Sequence, residues 1–220
     1  MIKYLIHACN KRMWYVDKYL IPSMMKQNIS ISDIGVWLDS DNDGCLRSCM
    51  KCFSSLPDEG YIWHLQDDIV ISNEFAYQTS SLDFFDTPII CGFCSNVDIN
   101  KDNYGFVSVD DMWYSFPCIR IPNKIAKECS EWYYSELQRN ATDIKFYDRM
   151  NKHDDLIFRA FITYYHPELQ VLLLKPNLVN HIDYLIGGTV VNFQRPKQKI
   201  VSAHWNDDEL IKNLESQLKQ

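Results

Sequence analysis

The chain has 220 residues, with 22 basic against 29 acidic side chains, a net charge of −7 and 46% apolar residues. That length supports one large domain with a buried core, and the apolar content, with only 7 Gly and 8 Pro, excludes disorder. No apolar run reaches the ~20 residues of a membrane helix, and the acidic balance disfavours a dedicated duplex-binding surface while leaving room for a local basic groove.

Strands and helices alternate through the first half. Residues 4–8 read as a short apolar strand, with no charged region or cleavage site to mark a secretion signal. Residues 12–25 carry Met13, Val16, Leu20 and Met24 at helical spacing. Residues 34–38 predict a second strand, closed by the acidic loop 39–44. Residues 45–56 predict a helix with Leu46, Cys49, Met50 and Phe53 on one side. Residues 61–65 predict a third strand ending at Gln66-Asp67-Asp68, followed by a helix over 74–85 and a fourth strand over 88–93. This alternation predicts an α/β fold, with a mostly parallel central sheet covered by helices on both faces.

The second half is less regular. Residues 96–114 are polar and aromatic without a long periodic element. Pro122 suits a first helical position, ahead of a stripe at Ile125, Cys129, Trp132 and Leu137. Asp154 opens a helix with Leu156, Ile157, Ala160, Phe161 and Tyr164 on its apolar face. A strand follows over 169–174, then a loop over 176–189 carrying His181 and Gly187-Gly188. The tail predicts a helix over about 206–218, where Asn206 and Glu209 have capping-box spacing. No repeat or linker divides the chain, so residues 1–220 are read as one domain. A soluble, cytoplasmic protein is the expectation.

Eight cysteines without a secretion signal read as reduced thiols. Two CxxC pairs, Cys49–Cys52 and Cys91–Cys94, raise a four-thiolate zinc site. The first pair lies in a helical pattern and the second in a strand pattern, where i and i+3 face opposite sides, so buried small hydrophobes are the better reading. Asp39-Ser-Asp41-Asn-Asp43-Gly44 imitates the start of a calcium loop, but Met50 stands where the closing Glu is required, and a strand precedes it. An aspartyl-phosphate phosphatase also places acids after a strand, yet the continuation beyond Asp41 is wrong for it. A nucleotide-sugar pyrophosphorylase needs a Gly-rich phosphate loop after the first strand, where this chain has Ala8-Cys9-Asn10-Lys11-Arg12.

The strongest chemistry lies in Trp63-His64-Leu65-Gln66-Asp67-Asp68-Ile69-Val70. Two adjacent carboxylates at the end of an apolar strand sit where open α/β sheets bind ligands. Burying such charge is costly unless it is paired or coordinates a metal, so the pair asks for a cation. Mg²⁺ or Mn²⁺ bridging a diphosphate is the natural partner. The plainer reading has Asp68 capping the next turn and Asp67 solvated.

These residues resemble the nucleotide-sugar glycosyltransferases of the GT-A fold, in particular the small bacterial, phage and procollagen-type members. The likeness runs from Ile6 to about Gln194. It rests on Arg12 after the first strand, Val36-Trp37-Leu38-Asp39 with Gly44, and His64-Leu65-Gln66-Asp67-Asp68. It continues through His153-Asp154-Asp155 at a helix start and Pro176-Asn177-Leu178-Val179-Asn180-His181 followed by Gly187-Gly188. The resemblance implies a metal held by Asp68 and His181, with Asp67 beside them. It implies a catalytic base in Asp155, with Asp154 second, although acids at a helix start also cap free N–H groups. Arg12, Asp39, Arg47 and Arg195 become candidates to hold the donor's diphosphate, base or ribose. The metal motif lacks the spacer of the usual Asp-x-Asp, and Gly187-Gly188-Thr189 replaces a Ser-containing loop.

The implied activity is metal-dependent transfer of a sugar, from a UDP-sugar first of all, to a hydroxyl. The acceptor would be a glycan, a protein or a hydroxymethylated DNA base, the last placing a phage-encoded enzyme in the host cytoplasm. For DNA, a cationic channel could draw on Lys11, Arg12, Lys145, Arg149, Lys152, Arg195, Lys197 and Lys199. Trp113, Tyr114, Trp132 and Tyr133 could wall a flipped base, and they suit sugar rings equally. The alternatives are a non-catalytic metal- or sugar-binding module on the same fold and a pyrophosphorylase-like enzyme. Donor sugar, stereochemistry and oligomeric state stay open.

Overall fold

A strand covered on both faces must be apolar at nearly every position, and β1 (Tyr4–Cys9) meets that condition with His7 as its polar exception. The computed structural model describes residues 2–83, 88–93, 105–108, 116–137, 153–174 and 177–186. After β1 a continuous helical run over 10–26 (α1) includes one π turn at Val16–Leu20. Then come β2 (Ile34–Asp39), α2 (Cys45–Ser54), β3 (Tyr61–Gln66), β4 (Ile69–Ile71) and α3 (Phe75–Leu82). The chain continues through β5 (Ile89–Cys91), β6 (Gly105–Ser108), β7 (Cys118–Pro122) and α4 (Asn123–Trp132). It ends, among the described residues, with α5 (Asp154–Tyr165), β8 (Gln170–Leu173), β9 (Val179–His181) and the single turn α6 (Asp183–Ile186).

Seven strands form the central sheet in the order β2-β1-β3-β7-β5-β8-β6. β1 runs parallel to β2 and β3, and β5 parallel to β8. β7 is antiparallel to β3 and β5, and β6 to β8. Five strands therefore share one direction and two oppose it, which makes the sheet mostly parallel, as the alternation predicts. Side-chain alternation builds two cores. Tyr4, Ile6, Ala8, Trp63, Leu65 and Ile90 face α1 and α3, where Val16, Leu20 and Met24 form the stripe read from the sequence. Leu5, Ile62, Ile89, Ile119 and Leu173 face α2, α4 and α5. Phe53, Phe116 and Phe158 lie at the centre of that second core. Burial of each such ring stabilises the fold by about 2–3 kcal/mol.

Several local expectations change. Pro122 closes strand β7 and the helix begins at Asn123; the strand itself was not legible because Arg120 interrupts its apolar run. Arg120 is nevertheless buried, with its guanidinium 4.0 Å from the Tyr61 ring centroid and Nη1 donating to the Leu82 carbonyl at 3.2 Å. β6 is a four-residue strand in the stretch expected to hold no long periodic element, and the loop expected over 176–189 contains β9 and α6. Arg195, Gly187-Gly188-Thr189, Cys94 and the tail helix lie outside the described residues, as do Trp113, Tyr114, Lys145, Arg149, Lys152, Lys197 and Lys199. No helix among the described residues is long and apolar enough to cross a membrane.

β4 and β9 form a separate two-stranded ribbon that carries His181. Gly92 fastens that ribbon to the sheet. Its N–H donates to the Cys118 carbonyl at 2.8 Å, and its own carbonyl accepts from Leu178 N–H at 2.6 Å. A Cβ there would stand 2.6 Å from Cys118 Sγ and 3.0 Å from Leu178 Cδ1. Gly92→Ala is expected to cost about 1–3 kcal/mol by overpacking. At Gly35 the nearest atom to an added Cβ is the tip of the half-exposed Ile2 side chain at 2.9 Å, which can move. Gly35→Ala should therefore cost less than about 1 kcal/mol. Urea unfolding of both variants checks the order.

Candidate functional site

Parallel strands that end together gather their following residues at one edge of the sheet. In the β1–β2 register Cys9 pairs with Asp39, and in the β1–β3 register His7 pairs with Gln66. Cys9, Asp39 and Gln66-Asp67-Asp68 thus meet at the C-terminal edge, where an α/β sheet binds ligands.

Asp67 and Asp68 are both buried, at 1% and 5% exposure, and both are gripped by Arg12. Arg12 Nη2 lies 2.7 Å from Asp67 Oδ1, and Nη1 lies 2.6 Å from Asp68 Oδ2. Asp67 Oδ2 also accepts the Cys9 N–H at 2.7 Å. Arg12 is held in place by the helical run behind it, where Tyr15 donates its hydroxyl to the Ile69 carbonyl at 2.7 Å. Burial opposes the Arg12 charge, but Asp68 and Asp67 outweigh it and strengthen its hold on the proton. Burial pushes the Asp67 carboxyl up beyond what Arg12 can offset. At Asp68 burial pushes the same way, yet His181 and Arg12 together bring the carboxyl below its ordinary range.

His181 arrives from the far end of the chain. The ribbon register sets Ile69 opposite His181, and Ile182 N–H donates to the Asp68 carbonyl at 2.8 Å. His181 Nε2 comes to 3.1 Å from Asp68 Oδ2. A slip of one residue would turn the imidazole to the other face, so the three-residue pairing is what aims it. The Phe93 ring stands edge-on to it, 6.0 Å between centroids. The other Asp68 oxygen, Oδ1, is buried with no hydrogen-bond partner among the described residues. A buried carboxylate oxygen left unsatisfied beside an imidazole can accept a further donor, a water or a cation.

The acids at the α5 start converge on the same edge. Asp154 is buried. Its Oδ2 lies 2.9 Å from Cys45 Sγ and 3.4 Å from Gln66 Nε2, and its Oδ1 accepts the Asp155 N–H at 3.0 Å. Burial, then the neighbouring Asp155, pushes the Asp154 carboxyl up to about 6. Burial likewise pushes the Cys45 thiol well up, with Asp154 adding to it. Asp155 is only half-buried, and its Oδ1 accepts Leu156 N–H at 2.8 Å.

Other expected donor contacts are placed differently. Asp39 spends its carboxylate on the loop that follows it, accepting Asp43 N–H at 2.9 Å and Gly44 N–H at 3.1 Å. Gly44, at φ 87°, makes the turn into α2 that a side chain would strain. Asp41 and Asp43 both pair with Lys51, so the acidic loop is partly compensated by its own helix. Arg47 is exposed on the first turn of α2. Arg12 binds the acids rather than standing free. The sequence reading missed Gln66 and Cys45 as neighbours of Asp154; Gln66 directly before the acid pair was the available signal.

No protein-family model and no curated protein matches the chain. Among solved structures it is similar to the crystal structure of A197 from STIV, at 14% identity and a TM-score of 0.44, with 82% of this chain and 85% of that chain covered. A likeness this distant carries no argument about function.

Proposed function

We propose that this chain is a metal-dependent glycosyltransferase of the GT-A type, moving a sugar from a nucleoside-diphosphate sugar, a UDP-sugar first, to an acceptor hydroxyl. The observation that carries the reading is the meeting of His181 Nε2 and Asp68 Oδ2 at 3.1 Å beside the unpartnered Asp68 Oδ1. Carboxylate oxygen with imidazole nitrogen suits Mn²⁺ better than Mg²⁺. Asp68 and His181 would hold the ion, with Asp67 beside them. Such an ion supplies Lewis-acid stabilisation of a departing nucleoside diphosphate.

The remaining roles belong to the chain. Arg12, whose Nη1 lies against Asp68 Oδ2, has a planar fork suited to phosphate and would turn to it where a cation shared the Asp68 carboxylate. Asp155, half-exposed at the first turn of α5, takes the proton of the acceptor hydroxyl. Asp154 is buried beneath it and tied to Cys45 and Gln66, which fits a group that orients the helix start. A glycan, a protein and a hydroxymethylated DNA base remain the acceptor classes.

The test is UDP release from a panel of UDP-sugars with Mn²⁺, with Mg²⁺ and with EDTA. One donor should be turned over, fastest with Mn²⁺ and not at all in EDTA. No release from any nucleotide sugar with either metal would overturn the reading in favour of a binding module. Pyrophosphate release from a nucleoside triphosphate would point to the pyrophosphorylase-like alternative.

A further inference from the structure

On the other face of the same strands lies a cluster that sugar transfer does not use. In the β1–β3 pairing Leu5 stands opposite His64, and His7 follows two residues on. Alternation therefore sends both imidazoles into the α2 side of the sheet. There the ring centroids lie 5.7 Å apart. α2 lays Cys49 over them, completely buried. One ligand atom each from His7, Cys49 and His64 lies within 4.8 Å of the other two.

His64 is the anomaly. It is fully buried among Phe53 and Phe116, with ring centroids at 5.5 and 5.4 Å. Neither of its ring nitrogens meets full hydrogen-bond geometry with a described residue, and the Phe116 backbone, which acts on the ring as a hydrogen-bond partner, is outweighed by burial. A buried imidazole has one donor and one acceptor to satisfy, and one backbone group between aromatic walls leaves at least one of them open. His7, by contrast, has Nε2 engaged with Ser48 Oγ at 2.8 Å, a bond that fixes the ring.

We propose that His7, Cys49 and His64 form a buried zinc site that joins β1, β3 and α2 behind the acidic site. Two imidazoles and one thiolate are a ligand set that Zn²⁺ takes, and carboxylate-loving Mn²⁺ does not. Burial keeps His7 down at about 4 and His64 at about 3, so both rings are in the neutral, ligating form at pH 7. Burial pushes the Cys49 thiol well up, so it carries its proton until a cation arrives. Binding therefore releases one proton to solvent for each Zn²⁺ taken up, as Cys49 becomes the thiolate. Zn²⁺ with one thiolate leaves one positive charge, and the Asp154 carboxylate, which Cys49 feels electrostatically, offsets it.

The experiment is zinc loading of the full chain, freed of any affinity tag, followed by metal analysis and X-ray absorption at the zinc edge. A zinc with a sulfur scatterer at about 2.3 Å and nitrogen at about 2.0–2.1 Å is expected, besides any ion that Asp68 and His181 take up. Cobalt loading of the same protein should give a thiolate charge-transfer band that Cys49→Ala and His64→Ala remove. Asp68→Asn, which disables the proposed transferase site, should leave that band intact, so the two readings fail separately. The absorption measurement uses unaltered protein and so stands even where a core variant fails to fold. A bound metal with only oxygen and nitrogen neighbours, or no bound metal, would overturn the proposal.

Discussion

Asp68→Asn is expected to lower metal-dependent UDP-sugar turnover roughly 1,000-fold, equivalent to about 4 kcal/mol of transition-state stabilisation. The substitution keeps shape and volume and removes one negative charge from the oxygens that face Arg12 and His181. Asp67 retains its own contacts to Arg12 and to the Cys9 N–H, so the strand end should keep its form. His181→Ala is expected to produce a loss of the same order. Two residues that hold one ion act as a unit, so the double variant should be little worse than either single one. Steady-state rates across a Mn²⁺ titration, with circular dichroism to verify folding, decide the matter. Additive losses would mean that the two side chains do not serve one ion, and an unimpaired Asp68→Asn enzyme would remove the metal from the reaction.

What was legible in the sequence divides along physical lines. β1, β3 and α2 carry apolar side chains at periods set by well-packed faces, and their positions follow from Tyr4, Ile6 and Ala8 or from Leu46, Cys49 and Phe53, while β2 is legible from its apolar run although Val36 and Leu38 are exposed at the sheet edge. The ribbon of β4 and β9 was not legible, because three residues on each strand are too few to show a period. His181 was singled out by family resemblance, and it is the ribbon's register that explains why it meets Asp68. β7 was hidden by Arg120, whose burial depends on the Tyr61 ring of the neighbouring strand. The grip of Arg12 on the acid pair depends on the entry angle of α1, which local pattern does not encode. That His7 and His64 share the α2 side follows from the β1–β3 register, which the sequence pattern does not reveal.

Arg12 carries a second large effect, with opposite signs in two measurements. In metal-free protein Arg12→Ala is expected to cost about 3–5 kcal/mol of folding stability, because it strands two adjacent buried carboxylates. Both lose a contact of 2.6–2.7 Å, and the one positive group left on Asp68 is an imidazole if protonated. One of the two acids must then take up a proton or draw in water. Mn²⁺ should restore much of the loss, since a cation satisfies the oxygens that the guanidinium has vacated. The variant is therefore expected to bind Mn²⁺ more tightly than the parent, which must first free Asp68 from Arg12. Donor binding should move the other way, with a raised KM, because no guanidinium remains to turn towards the diphosphate. Arg12→Lys should fall between them: one ammonium keeps the charge but cannot fork to Asp67 and Asp68 together. Urea unfolding in EDTA and in Mn²⁺, with donor titrations, separates these terms. Equal stability of parent and Arg12→Ala in EDTA would mean that water, rather than Arg12, neutralises the acid pair.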